Sequence, residues 1–267
     1  MRRSRAAKKR QARNIAIGIA ALAVFCVALG GGIWWYLTRE PGLDRVTLCP
    51  KSGPTAHIVF LVDKTDPLNI SQKAGFLRLL EELVDRRIQP GQLVSVFVLG
   101  ENLQEGVKPL VELCNPGSGE GKSELTANVA KLNAQFRTRF REPLLAQADA
   151  LVSTTAAKNS PILEMLQFVQ LNAFRKHMVN GPKRLVLVSD LLHKTPQLSM
   201  YQTVPQLDPF EATDYGRKTR LELPGVEIEV HQLLNYPKLQ NRRLMEFWEE
   251  YFERAGAKIV SVRPMEG

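Results

Sequence analysis

An uncharged run of 23 residues, residues 15–37, constrains this chain more than any other feature of its sequence. A run of that length can cross the roughly 30 Å hydrocarbon core of a membrane as a single helix. Seven basic residues and no acidic ones precede the run, and basic flanks stay on the cytoplasmic side. The pattern therefore predicts a cytoplasmic tail over residues 1–14, a transmembrane helix over residues 15–37 and an exported remainder.

A cleaved signal peptide is the alternative interpretation of this run. Its apolar core would span about 7–15 residues and end at a small-residue cleavage site. Here the run ends in Trp-Trp-Tyr at residues 34–36, which is typical of a membrane interface. We therefore expect an uncleaved single-pass anchor in a bacterial-type inner or cell membrane, with a periplasmic or extracellular C-terminal domain.

Small residues recur at four-residue spacing from the end of the tail into the anchor, at Ala12, Ala16 and Ala20. Such spacing lets two membrane helices approach closely. Because it also arises by chance in an Ala-rich segment, a homodimer through this helix and a monomer both remain open.

The charge distribution argues against a nucleic-acid partner. The chain has a net charge of +9, with 36 basic and 27 acidic residues. Once the seven basic residues of the tail are set aside, 29 basic residues face 27 acidic ones, so the excess is mostly a topology signal. No basic stripe interleaved with aromatic residues follows, and we expect no nucleic-acid binding.

Two of the three cysteines lie in the exported part of the chain. Cys26 falls inside the apolar run, whereas Cys49 and Cys114 follow it. Disulfides persist in exported proteins, so a Cys49–Cys114 bond is predicted. Two buried free thiols are the alternative, because sequence alone does not supply the required geometry.

Apolar strand patterns alternate with helical patterns after a linker over residues 38–54. Continuous apolar runs suit strands that are buried on both faces, as in a parallel sheet. Strands are predicted at residues 57–62, 93–99, 107–113, 184–189, 226–234 and 258–262, and helices at residues 71–87, 125–140, 239–256 and after an N-cap at Ser160. Residues 191–224 are polar and give no assignment. The alternation predicts one α/β domain over residues 55–267 with a mostly parallel sheet.

Two of the predicted strands end in an acid, namely Asp63 and Asp190. In open α/β sheets, binding sites form at the carboxyl ends of the strands. Ser160 and a hydroxyl-rich stretch at residues 153–155 lie between these strands in sequence. Carboxylate and hydroxyl oxygens suit Mg²⁺, which prefers oxygen ligands. The pattern indicates a candidate divalent-cation site, although the two acids could instead accept hydrogen bonds from loop amides.

At these residues the chain resembles a von Willebrand factor type A (VWA) domain. The first strand of that family ends in Asp-x-Ser-x-Ser, a middle loop supplies a Thr, and the fourth strand ends in an Asp. Asp63 and Thr65 match the first two positions, Ser160 matches the middle-loop hydroxyl, and Asp190 matches the fourth-strand acid.

The resemblance implies a doubly wound, mostly parallel, Rossmann-like sheet over roughly residues 55–265. It also implies a metal-ion-dependent adhesion site (MIDAS) that holds Mg²⁺ or another divalent cation through Asp63, Thr65, Ser160 and Asp190. Two positions depart from the family: Pro67 takes the third position of the first motif, and Leu191 takes the place of a Gly after the fourth-strand acid.

An enzyme is the alternative class. The Asp-Lys-Thr at residues 63–65 matches the start of the phosphorylation motif of P-type ATPases and haloacid-dehalogenase-like phosphotransferases, in which an Asp attacks phosphorus. The Gly and Thr that follow in that motif are replaced by Asp66 and Pro67. A metal-dependent phosphohydrolase using the Asp63/Asp190 cluster is therefore the competing hypothesis.

Other motifs point to no chemistry. Residues 119–123 are similar to the end of a P-loop, but Pro116 stands where its first Gly belongs and lacks an amide donor. The four histidines show no metal-ligand spacing, and His193 is expected at the surface. We therefore expect no catalytic residues and a membrane-anchored interaction or scaffold module that binds a protein or envelope partner.

Overall fold

A computed structural model describes residues 2–38, 42–101, 108–124, 128–153 and 156–265. Their contacts divide the chain into two compact units, Met1–Gly42 and Leu43–Gly267. The first unit contains helix α1, Arg2–Thr38. Within α1, Arg13–Trp35 has a mean hydropathy of 2.3 and is, by length and composition, the one membrane-span candidate among the described residues.

The second unit is built on a sheet to which six strands of the described residues contribute. They are β1 (His57–Asp63), β2 (Leu93–Leu99), β3 (Val111–Cys114), β4 (Lys183–Ser189), β5 (Val226–Leu233) and β6 (Lys258–Met265). Their spatial order is β3-β2-β1-β4-β5-β6, with β3 antiparallel to β2 and every other pair parallel. Strand order reverses beside β1, which defines a doubly wound sheet and confirms the predicted fold class.

Helices and helical turns cover both faces of this sheet. They are α2 (Ile70–Glu82), α3 (Val129–Phe136), α4 (Glu142–Leu145), α5 (Ala148–Val152), α6 (Ile162–Val169), α7 (Leu207–Glu211), α8 (Asp214–Lys218) and α9 (Arg242–Arg254). Wide π-helical turns extend α2 over Leu83–Arg87 and α6 over Gln170–Arg175, and a third, Arg137–Arg141, joins α3 to α4.

The sheet separates two hydrophobic cores. Successive strand residues point to opposite faces, so Leu61 of β1 packs in the core that contains Trp248 of α9. Phe60, its neighbour in sequence, packs in the other core with Phe76 of α2. Every residue of β1 is buried, which explains why the strand reads as a continuous apolar run.

Several element boundaries differ from the sequence-based expectation. The third strand was expected over residues 107–113; β3 covers Val111–Cys114, and residue 107 lies outside the described residues. Ser160 is not an N-cap, because α6 begins only at Ile162. Its backbone N–H instead donates to Lys194 O at 2.7 Å, and Lys194 N donates back at 2.9 Å. The unassigned segment contains α7 and α8.

Cys49 and Cys114 are joined by a disulfide, with their Cα atoms 4.7 Å apart. The N–H of Cys114 also donates to Thr47 O at 2.8 Å, so this part of the expected linker packs along β3. Cys26 in α1 is a free thiol. The chain therefore joins the second unit from Leu43 onward, before the first strand begins.

Candidate functional site

The two strand-end acids lie at the same edge of the sheet. Asp63 is the last residue of β1, Asp190 directly follows β4, and these strands are parallel neighbours. Both side chains are buried, with relative exposures of 4% and 2%. The fold therefore places two carboxyl groups at the centre of the carboxyl edge.

Hydroxyl groups surround Asp63. Its Oδ1 accepts hydrogen bonds from Thr65 N at 2.9 Å and Thr65 Oγ1 at 2.6 Å, and its Oδ2 accepts one from Ser189 Oγ at 2.7 Å. The Thr65 hydroxyl also lies 3.0 Å from Ser160 Oγ. Asp63, Thr65 and Ser160 therefore form one buried hydrogen-bonded chain, although Ser160 is 95 residues from Thr65 in sequence.

Asp190 is held by a backbone amide and a phenol. Its Oδ1 accepts a hydrogen bond from Leu192 N at 2.9 Å, and its Oδ2 accepts one from the Tyr201 hydroxyl at 3.2 Å. The same hydroxyl lies 3.1 Å from Asp66 Oδ2. Tyr236 also reaches Asp66, with its hydroxyl 3.4 Å from Oδ1. We call Asp63, Asp66 and Asp190 the acidic centre.

Burial dominates the electrostatics of Asp63 and Asp190. Burial raises the pKa of Asp63 against the opposing hydrogen bonds from Thr65 and Ser189. Burial also raises the pKa of Asp190 well above its usual value, and the charge of Asp63 adds to this rise. None of the three aspartates forms an ion pair within the described part of the chain. Such carboxyl groups favour a proton, a hydrogen-bond donor or a cation.

Leu191 gives the β4 end of the site an unusual backbone. Its φ of 63° lies in the left-handed region, which costs a non-glycine residue about 1–2 kcal/mol. The side chain is fully buried. Its N–H donates to Ser189 Oγ at 3.0 Å, and its carbonyl accepts a hydrogen bond from Trp248 Nε1 at 2.9 Å. These contacts hold a leucine where the VWA pattern has a glycine.

The segment after β4, residues 191–206, folds back over the acidic centre, and we call it the β4 loop. Lys194 of this loop pairs with Ser160, and Met200 N donates to His193 O at 2.9 Å. This turn places Tyr201 beside Asp190. The ring of Tyr201 packs edge-on against Tyr236 at 5.2 Å between centroids.

Several of these residues were not found from the sequence. Ser189 could have been predicted from the sequence, because it directly precedes Asp190. Side chains alternate along a strand, so that of Ser189 lies on the same face of the sheet as that of Leu187. Tyr201 carries no local signal, since it lies in a segment without periodicity. The expectation of a surface His193 is wrong: it is fully buried, and its Nε2 lies 2.9 Å from the Tyr215 hydroxyl.

The oxygen atoms of the four predicted ligands are of the types that bind a hard divalent cation. Asp63 and Asp190 offer carboxylate oxygens, and Thr65 and Ser160 offer hydroxyl oxygens, which are the ligand types that Mg²⁺ prefers. Pro67 adds no side-chain ligand. Among the described residues there is no group of three or more His, Cys, Asp or Glu side chains placed to hold a metal ion. A cation here would therefore depend on hydroxyl ligands as well as two acids.

The sequence matches no protein-family profile and no curated protein. Among solved structures, the VWA domain of SpRpn10 aligns with 79% of this chain and 89% of its own, at 12% identity and a TM-score of 0.39. Proximal thread matrix protein 1 from the mussel byssus, with a zinc-occupied MIDAS motif, aligns with 80% of this chain and 42% of its own, at 12% identity and a TM-score of 0.36.

An aerotolerance-related membrane protein from Bacteroides fragilis aligns with 79% of this chain and 91% of its own, at 10% identity and a TM-score of 0.34. Likenesses at this level carry no argument about function. The strand order and the antiparallel β3 give the domain a VWA-like, doubly wound α/β fold.

Proposed function

We propose that this chain is a membrane-anchored, extracytoplasmic interaction module that binds a protein or envelope partner at the carboxyl edge of its sheet. The acidic centre is the observation that carries this proposal. Burying carboxyl groups without a basic partner is unfavourable, and proteins retain such an arrangement most readily where it binds something. Here the arrangement lies at the edge where doubly wound sheets form their sites.

The anchor and the disulfide support an exported location. The seven basic residues before the uncharged run of residues 15–37 favour a cytoplasmic N-terminus. The Cys49–Cys114 bond is typical of a domain outside the cytoplasm. A reporter that is active only in the cytoplasm, fused after residue 39, tests the orientation. We expect no reporter activity, and strong activity would reverse the proposed topology.

Within this proposal, Asp63, Thr65, Ser160 and Asp190 are the ligands of Mg²⁺ or another divalent cation. The cation would neutralise the two carboxylates and offer a coordination position to an oxygen ligand of the partner. Mg²⁺ at 100 times its dissociation constant should stabilise the domain by about 2.7 kcal/mol. Asp63→Ala should abolish the rise in melting temperature, and calorimetry without heat for the wild type would remove the cation from the proposal.

Partner binding is tested by crosslinking in intact membranes. Asp63→Ala should remove the crosslinked species formed by the wild type, because it removes a ligand at the strand end. Asp149→Ala is the matched control, since Asp149 is exposed on α5 and is not a member of the acidic centre. Retention of the same species by Asp63→Ala would contradict the proposed binding edge.

The phosphohydrolase hypothesis rests on a motif that this chain carries only in part. The Gly and Thr that follow the nucleophilic Asp in that motif are replaced by Asp66 and Pro67. Generic phosphoesters with Mg²⁺ or Mn²⁺ provide the assay. Turnover that Asp63→Asn abolishes would replace the interaction module with an enzyme.

A further inference from the structure

The Oδ2 atom of Asp190 faces the phenol group of Tyr201. Oδ1 of this residue accepts a hydrogen bond from the backbone N–H of Leu192, so it is already engaged by the β4 loop. Oδ2 accepts the hydrogen bond from Tyr201, whose hydroxyl also contacts Asp66. One phenol therefore links the loop after β1 to the segment after β4.

Tyr201 is positioned from several directions. The β4 loop that carries it is fastened to Ser160 through the two backbone hydrogen bonds of Lys194. The Lys194 ammonium lies 5.5 Å from the centroid of the Tyr201 ring, within the range of a cation–π contact. The ring of Tyr236 packs edge-on against that of Tyr201, and both hydroxyl groups contact Asp66.

A cation held by Asp190 would compete with this phenol. Mg²⁺ requires direct contact with an oxygen ligand at about 2.0–2.1 Å. The oxygen of Asp190 that is not engaged by the backbone is Oδ2, which is the one that Tyr201 contacts. The Tyr201 hydroxyl therefore lies at the oxygen of Asp190 that a cation could use without breaking the hydrogen bond from Leu192.

We propose that Tyr201 is a latch that keeps the acidic centre closed, and that a divalent cation binds only when the Tyr201 hydroxyl leaves Asp190. This inference rests on the proposed cation binding and adds a regulated step to it. When the latch opens, the β4 loop is released from the acidic centre. Cation binding is thereby coupled to a rearrangement of the surface around Asp66 and Asp190.

The test uses the full chain in detergent micelles and compares Tyr201→Phe with Tyr236→Phe. Each variant removes one hydroxyl, but only Tyr201 contacts Asp190, whereas Tyr236 contacts Asp66 alone among these acids. Calorimetric titration with Mg²⁺ should show up to about tenfold tighter binding for Tyr201→Phe, the value expected for loss of one hydrogen bond. Tyr236→Phe should bind like the wild type.

Hydrogen exchange of the β4 loop provides a second readout that does not depend on affinity. In the wild type, Mg²⁺ should accelerate exchange in residues 191–206, because the latch opens. In Tyr201→Phe, exchange there should already be fast without Mg²⁺, while the strands remain protected and show that the domain is folded.

The outcomes separate the latch from the proposed cation site. Equal Mg²⁺ affinities for the wild type and Tyr201→Phe, or a β4 loop whose exchange does not change when Mg²⁺ binds, would overturn the latch and leave the cation site standing. Absence of Mg²⁺ binding in both proteins would overturn the cation site and the latch together. The crosslinking test of Asp63→Ala would then decide on partner binding separately.

Discussion

Acidic side chains at the two ends of the parallel strands have pKa values that are shifted in opposite directions. Near the amino ends, Glu112 of β3 contacts Lys176 Nζ at 2.8 Å and His177 Nε2 at 3.0 Å. Burial raises its pKa, but the contacts with His177 and Lys176 outweigh burial and lower the pKa to about 2. At the carboxyl ends, burial dominates and the pKa values of Asp63 and Asp190 rise.

The difference lies in whether the chain supplies its own cation. Glu229 on β5 repeats the first arrangement, because Arg87 at the end of the turn after α2 forms hydrogen bonds with its carboxylate. An acid with an internal basic partner is committed to the fold. An acid whose partners are hydroxyls and amides retains a demand for positive charge that a proton or an external cation can meet.

The largest expected effect on stability comes from removing the disulfide near the amino ends of the strands. Replacing Cys49 and Cys114 by Ser removes a bond that closes a loop with a sequence separation of 65. The entropy of loop closure predicts a loss of about 4 kcal/mol in the free energy of unfolding. Denaturant unfolding of the purified chain measures it, and Cys26→Ser in α1 is the control that should have no effect. A loss below about 1 kcal/mol would show that the bond does not stabilise this end.

Removing the basic partner of a buried acidic side chain should have the next largest effect on stability. Arg87→Met leaves Glu229, which is 3% exposed, with only its contacts to His231 and Arg263, and this should cost up to about 3 kcal/mol. Arg184→Met breaks an ion pair with Glu227 in which both side chains are more than a third exposed, so it should cost less than about 1 kcal/mol. Equal losses in the two variants would mean that burial does not distinguish these pairs.

At the carboxyl ends of the strands, removing the charge of a buried acid should stabilise the protein. Asp190→Asn keeps an acceptor for Leu192 N and removes a carboxyl group that burial and Asp63 disfavour in its charged form. In the absence of divalent cations at neutral pH, we expect a gain of about 1 kcal/mol. Asp85→Asn, which breaks the exposed pair with Arg141, should instead give a small loss. A clear loss for Asp190→Asn would show that its charge is structural.

The smallest expected effect is the pH dependence of stability that results from His57, a buried and neutral histidine. Burial, followed by the nearby His177, lowers the pKa of His57 to about 3, so the folded state keeps the ring neutral. The unfolded chain binds a proton near pH 6.5, so stability from this residue is present above pH 6.5 and falls as the pH drops towards 3. Between pH 7 and pH 6 the loss is about 0.7 kcal/mol.

NMR titration checks the cause directly. The His57 ring, whose Nε2 lies 2.9 Å from Ser95 Oγ, should keep the chemical shifts of the neutral form down to about pH 4. Titration of this ring near pH 6.5 would contradict the assignment.

The sequence was sufficient where burial on both faces makes a strand apolar throughout. Strands β1, β2 and β4 were predicted to within a residue or two for that reason, and the helical repeat located α2 and α9. The antiparallel direction of β3 was not predictable, because direction depends on the strand that β3 pairs with. Likewise, Asp63 and Asp190 follow from strand ends, whereas Tyr201 reaches the site only through backbone pairing between Lys194 and Ser160.

The disulfide also determines how the domain would carry mechanical load. Tension applied through the N-terminal segment, which enters the domain at Leu43, passes to Cys49, where the path divides. One branch continues through the backbone to β1, in the middle of the sheet, and the other crosses the sulfur bridge to the edge strand β3. Tension is therefore shared between two strands, and reduction of the bridge would remove the covalent branch to β3.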